Sequence, residues 1–104
     1  MTRIIESEKT LEARLRTQVQ ARGGMCLKIL SQHHSGLPDR LVLMPGGKPH
    51  FVEMKSTGKH PEPLQVHAME QLGDLGFHSH VIDSSESLRL FLLQIDMEQR
   101  QNGQ

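Results

Sequence analysis

The sequence predicts an α/β fold: a mixed four-stranded sheet flanked by helices, in the order helix, strand, strand, strand, helix, strand, helix. Three observations predict it. Apolar residues recur at helical spacing in three segments, and short apolar runs bounded by turn formers lie between them. One helical segment joins two strand segments as a crossover, which makes those strands parallel, whereas a tight turn elsewhere makes its strands antiparallel. The sheet is then mixed, with helices on both faces.

Ser7 is placed to cap a helix over residues 8–22, in which Leu11, Leu15 and Val19 recur every four residues and Gly23-Gly24 supplies the stop. Residues 25–30 read as a strand and 31–37 as a loop. Residues 39–44 and 50–55 form a hairpin around Pro45-Gly46-Gly47-Lys48-Pro49, and 56–62 are rich in turn formers. A helix over 63–75 opens on Pro63 and stops at Gly76, and residues 77–82 are the last strand. Ser84-Ser85 can cap a final helix to about residue 97, leaving a polar tail over 98–104 that is expected to fray.

At 104 residues and 11.8 kDa, residues 1–104 are expected to form a single domain with one core. No apolar run approaches the roughly 20 residues of a membrane span. Met1-Thr2-Arg3-Ile4-Ile5-Glu6 lacks the apolar centre of a signal peptide, and Cys26 is the only cysteine, so a reducing cytoplasm is the simplest compartment. Net charge is zero, yet residues 1–60 hold ten Lys/Arg against five Asp/Glu and residues 61–104 hold two against seven. If that segregation survives folding, the positive half suits a nucleic-acid partner.

The chemistry concentrates in Pro38-Asp39-Arg40 and Phe51-Val52-Glu53-Met54-Lys55. Side chains alternate along a strand, so Phe51, Glu53 and Lys55 point one way and Val52 and Met54 the other. A five-residue hairpin loop over 45–49 would place Leu41 opposite Glu53 and Asp39 opposite Lys55, with all three polar groups on one face. Two carboxylates beside an ammonium make a candidate Mg2+ site with a proton-handling lysine; the plain alternative is a solvated cross-strand Asp-Lys pair.

Other polar residues stand out by position. Glu12 borders the buried stripe of the first helix, where it can meet a cation or pair with Arg16 one turn on. Lys28 interrupts the first strand and can reach phosphate or the carboxylates, or extend into water from an edge. Gln65 starts a face continued by Ala68, Met69, Leu72 and Leu75, where its amide can hold the lysine, a water or DNA backbone, or stay in solvent. Seven histidines invite a zinc reading, but His78 and His80 lack a third ligand nearby in sequence. His33 and His34 read as phosphate contacts or as solvated loop residues. With no Trp or Tyr and three Phe, a base-stacking platform is not expected.

Taken together, Glu12, Gly23-Gly24 with Lys28, Gly36-Leu37-Pro38-Asp39-Arg40, Phe51-Val52-Glu53-Met54-Lys55 and Pro63-Leu64-Gln65 resemble the VRR-NUC domain. This is the virus-type replication and repair branch of the PD-(D/E)-x-K nucleases, in the short form found in phages and bacteria. The resemblance implies a DNA endonuclease dependent on Mg2+ or Mn2+, acting on branched DNA such as four-way junctions. It implies that Asp39 and Glu53 hold the metal with the Met54 carbonyl, with Glu12 a further candidate metal ligand, that Lys55 orients or activates the attacking water, and that Glu12 and Gln65 complete the site. Lys28, His33, His34 and Arg40 are then the expected DNA contacts. A non-catalytic nucleic-acid-binding or assembly module with the same fold is the alternative. Paired cuts at a junction further suggest a homodimer, for which Leu90, Leu93 and Met97 offer a second apolar stripe on the final helix.

Overall fold

Seven elements follow one another in the expected order, and the structure, a computed structural model, describes residues 4–103, with side chains through residue 101. Met1 to Arg3, part of the segment read for a signal peptide, and Gln104 of the expected tail lie outside the described residues. Helix α1 spans Glu8–Ala21, and Ser7 caps it by accepting a hydrogen bond from the Thr10 N–H at 3.1 Å. Strands β1 (Met25–Lys28), β2 (Arg40–Met44), β3 (Lys48–Met54) and β4 (His78–Ile82) lie side by side in that order. The β1–β2 and β2–β3 pairs are antiparallel; β3 and β4 are parallel because α2 (Pro63–Asp74) crosses over between them. Helix α3, Ser85–Gly103, closes the order, with the Ser84 hydroxyl accepting from the Ser87 N–H at 3.0 Å.

Alternation along the strands decides the two faces. Val42, Met44, Val52, Met54 and Ile82 join Leu11, Leu15 and Val19 of α1 and Leu88, Phe91 and Ile95 of α3 in one core cluster. Each such side chain, fully buried, contributes about 1.5–3 kcal/mol relative to leaving it exposed. Helix α2 lies on the opposite face, where Ala68 is buried and Gln65 reaches Glu53. Leu75, expected on the inward face of this helix, is instead 73% exposed, because the helix ends at Asp74 and the chain turns away.

Three further expectations are corrected. The hairpin turn is three residues long, not five, so Met44 pairs with Lys48 and Leu41 with Phe51. Gly46 and Gly47 both take positive φ, which lets the chain reverse this tightly. The slip is two positions, so every side chain keeps its face, but extending the ladder sets Asp39 opposite Glu53 instead of Lys55. Strand β1 stops at Lys28, although the Ile29 N–H still donates to the Asp39 carbonyl at 2.9 Å. Finally, α3 continues to Gly103 where a fraying tail was expected from residue 98. Tertiary contacts hold the added turns, since Glu98 meets His50 and the Gln99 amide donates to the Pro45 carbonyl at 2.9 Å.

One glycine fixes the approach of the segment between β1 and β2 to α2. Gly36 has φ +85°, and a Cβ there would stand 2.6 Å from the Leu64 carbonyl oxygen. No larger residue lets this segment seat against the first turn of α2, and the next residue along that turn is Gln65.

Candidate active site

Asp39 follows the buried Pro38 just before β2, and its carboxylate turns toward β3. Its Oδ1 accepts the Met54 N–H at 3.0 Å, tying the start of β2 to the end of β3. Glu53 stands on the α2 face with a side chain only 5% exposed. Burial, reinforced by the Asp39 charge, pushes its carboxyl above the usual range, while the hydrogen bond and charge of Lys55 oppose the rise. Glu53 Oε2 lies 3.3 Å from Lys55 Nζ and accepts from the Gln65 side-chain amide at 2.9 Å. Gln65 Oε1 in turn accepts the Glu62 N–H at 2.8 Å, so this capping box at the start of α2 also steadies the carboxylate. Glu53 Oε1 is buried with no hydrogen-bond partner.

That orphaned oxygen sets the test for a metal. Leaving a buried carboxylate oxygen unpaired costs about 1–3 kcal/mol or more, so such an atom is expected to meet a group absent from the protein chain. Among the described residues no three His, Cys, Asp or Glu side chains converge as a ready metal cage. Mg2+ does not require one, because it commonly takes one or two carboxylates and completes its shell with water and substrate oxygens. Asp39 and Glu53, both hard oxygen donors, therefore fit it.

The remaining expected residues are distributed around this pair. Glu12 sits on α1 with a side chain 15% exposed, held by Arg16 at 2.8 Å and by Arg40 Nε at 3.3 Å. Glu12 thus pairs locally with Arg16 and also meets Arg40, which links it onward to Asp39. The Met54 side chain is buried in the core, and its main chain runs beside Asp39. Lys28 is exposed at the sheet edge, directly across from Arg40. His33 and His34 are exposed in the segment before Pro38, and His34 lines a cavity of about 260 Å3 with Leu37, Ala68 and Leu72. Arg40, expected on DNA, is 15% exposed and engaged with Glu12 and Asp39.

Sequence reasoning missed a second polar cluster, on the other face of the same strands. His50, 1% exposed, stands 3.0 Å from His80 through Nδ1 and 2.7 Å from Glu98 through Nε2. His78 stacks beside it and Phe91 meets it edge-on. Strand parity puts His50, His78 and His80 on one face, which was readable; that Glu98 joins them was not.

No family model matches the chain. A phage protein described as "Putative nuclease p44", from Acyrthosiphon pisum secondary endosymbiont phage 1, is 39% identical over 79 residues, covering 76% of this chain and 85% of that protein. A solved structure described as "VRR_NUC domain" superposes with a TM-score of 0.78 at 26% identity, covering 84% of this chain and 96% of that one. The chain belongs to the VRR-NUC nuclease family. The fold is the one described above, a four-stranded mixed sheet with three helices in which α2 crosses over between β3 and β4.

Proposed function

We propose that this VRR-NUC chain is a metal-dependent endonuclease that hydrolyses DNA phosphodiester bonds, with branched DNA such as four-way junctions as its preferred substrate. The observation that carries the reading is Glu53: a buried carboxylate with one orphaned oxygen, beside Asp39 and Lys55. Asp39 and Glu53, with the Met54 carbonyl, would hold Mg2+ or Mn2+. When bound, such an ion supplies Lewis acidity toward phosphate oxygens and lowers the pKa of water. Lys55 positions the attacking water and sets a positive charge against the negative charge that builds on the phosphoryl oxygens. Gln65 keeps Glu53 turned inward, so the carboxylate does not swing away when charge redistributes. Glu12 acts at one remove, while Lys28, His33 and His34 contact phosphates as the duplex approaches.

Two coordinated cuts at a junction call for two sites, and the chain supplies one, so the working unit is a homodimer. Leu90, Leu93 and Met97 on α3 support this reading, being 51%, 44% and 50% exposed along one stripe. Light scattering at micromolar concentration checks it, and a monomer that stays monomeric on DNA would exclude paired cutting.

The activity test is incubation of purified protein with a labelled four-way junction and with linear duplex, in Mg2+ or Mn2+. Junction cleavage is the expected result. Failure to cut any DNA in either ion would overturn the enzyme reading, and DNA binding insensitive to metal and to Asp39→Ala would favour the non-catalytic module.

A further inference from the structure

Among the described residues, Arg40 is the one cation that touches two carboxylates, Glu12 on α1 and Asp39 just before β2. Its Nε lies 3.3 Å from Glu12 Oε2 and its Nη1 lies 3.3 Å from Asp39 Oδ2, with a third contact of 3.0 Å to the Asp39 carbonyl. Both charge contacts exceed the 2.7–2.9 Å usual for a guanidinium on a carboxylate. Arg16, by contrast, holds Glu12 at 2.8 Å and 3.1 Å. The guanidinium thus occupies the acidic cluster without forming its tightest bonds.

From this geometry we infer that Arg40 is a resident counter-ion of the metal-free site, a positioning residue for Asp39 that yields its place when a divalent ion binds and then turns to the DNA backbone. The inference rests on the metal-nuclease reading. Asp39 Oδ1 is already committed to the Met54 N–H, so the oxygen facing Arg40 is the one left for an ion. A dication bound there would stand within about 4–5 Å of the guanidinium, where like charges repel by several times the thermal energy. Arg40 then has a way out. Its cross-strand neighbour Lys28 is exposed, and Arg16 stays behind to neutralise Glu12. The released guanidinium, next to Lys28 and Arg16, faces outward as a phosphate-binding fork. Loading the metal would in this way add a DNA contact, coupling the two ligands.

Calorimetric titration of Mn2+ into wild type, Arg40→Met and Arg40→Lys tests this, with KM and kcat for the junction measured at saturating Mn2+. Removing the competing cation should tighten Mn2+ binding about fivefold in Arg40→Met, while Arg40→Lys, which keeps the charge, stays near wild type. The same Arg40→Met variant should show a raised KM with kcat changed less, because the phosphate contact is lost. Arg40→Gln serves as a second neutral variant if the methionine variant melts early. Mn2+ binding that is equal or weaker in the neutral variants overturns the counter-ion role. No Mn2+ binding by any variant, wild type included, overturns the metal-nuclease reading itself.

Discussion

Strand β3 carries a polar cluster toward each end, on opposite faces of the sheet, and the two are built differently. At the Glu53 end, pairing is incomplete: Glu53 Oε1 has no partner, Asp39 raises the Glu53 pKa, and Lys55 and Arg40 stand 3.3 Å from Glu53 and Asp39, respectively. At the His50 end, partners are matched. His50 Nε2 lies 2.7 Å from a Glu98 carboxyl oxygen and its Nδ1 lies 3.0 Å from His80 Nε2, so both ring nitrogens have a partner, and Phe91 seals the rings. A fully paired buried network serves the fold, whereas a buried carboxylate oxygen without a partner calls for one from outside the chain. The histidine end therefore reads as a structural latch between α3 and the sheet, and the carboxylate end as the proposed place of chemistry.

Substitutions should separate the two ends. Asp39→Ala or Glu53→Ala is expected to abolish Mn2+ binding and lower cleavage by about 10^3-fold or more, whereas Lys55→Ala should lose cleavage and keep the metal. Cleavage by Lys55→Ala at the wild-type rate would remove the lysine from the mechanism. His50→Ala should do the opposite: it removes a buried ring and strands both Glu98 and His80, at a cost of about 3 kcal/mol in denaturant unfolding. Cleavage per folded molecule should be unchanged, and a specific loss of kcat would break the distinction between the ends.

Acid should weaken the histidine end in a defined window. Burial, then the His50 and His78 charges, depress the His80 pKa from 6.5 to about 4, against an opposing pull from Glu98. Because the folded chain resists a proton that the unfolded chain accepts, this stability is present above pH 6.5 and is lost as pH falls to about 4. The loss amounts to about 2–3 kcal/mol after allowing for the partial exposure of the ring. His80→Gln should flatten the slope of unfolding free energy over that window, and an unchanged slope would assign the acid sensitivity elsewhere. The smallest effect is expected from Glu53→Gln, which removes a desolvated charge: stability should hold or rise by up to about 1 kcal/mol while cleavage disappears. A clear destabilisation would mean that the ionised carboxylate is itself part of the fold's support.

The sequence by itself determined the elements and their faces. Period-two alternation put Glu53 and Lys55 on one face and Val52 and Met54 on the other, and that assignment survived a two-residue error in register because parity is unchanged. Four-residue spacing placed Leu11, Leu15 and Val19 in the core, and a crossover helix between two strands made β3 and β4 parallel. These are local regularities, carried by backbone geometry over a few residues. Only the tertiary structure decided which side chains meet across long stretches of chain. Arg40 joins Glu12 and Asp39, Gln65 turns to Glu53, and Glu98 closes on His50 while extending α3 beyond the expected stop. The reason is physical: periodicity tells a side chain which way to point, but its partner is chosen by how whole elements pack, and that choice involves every residue in the interface.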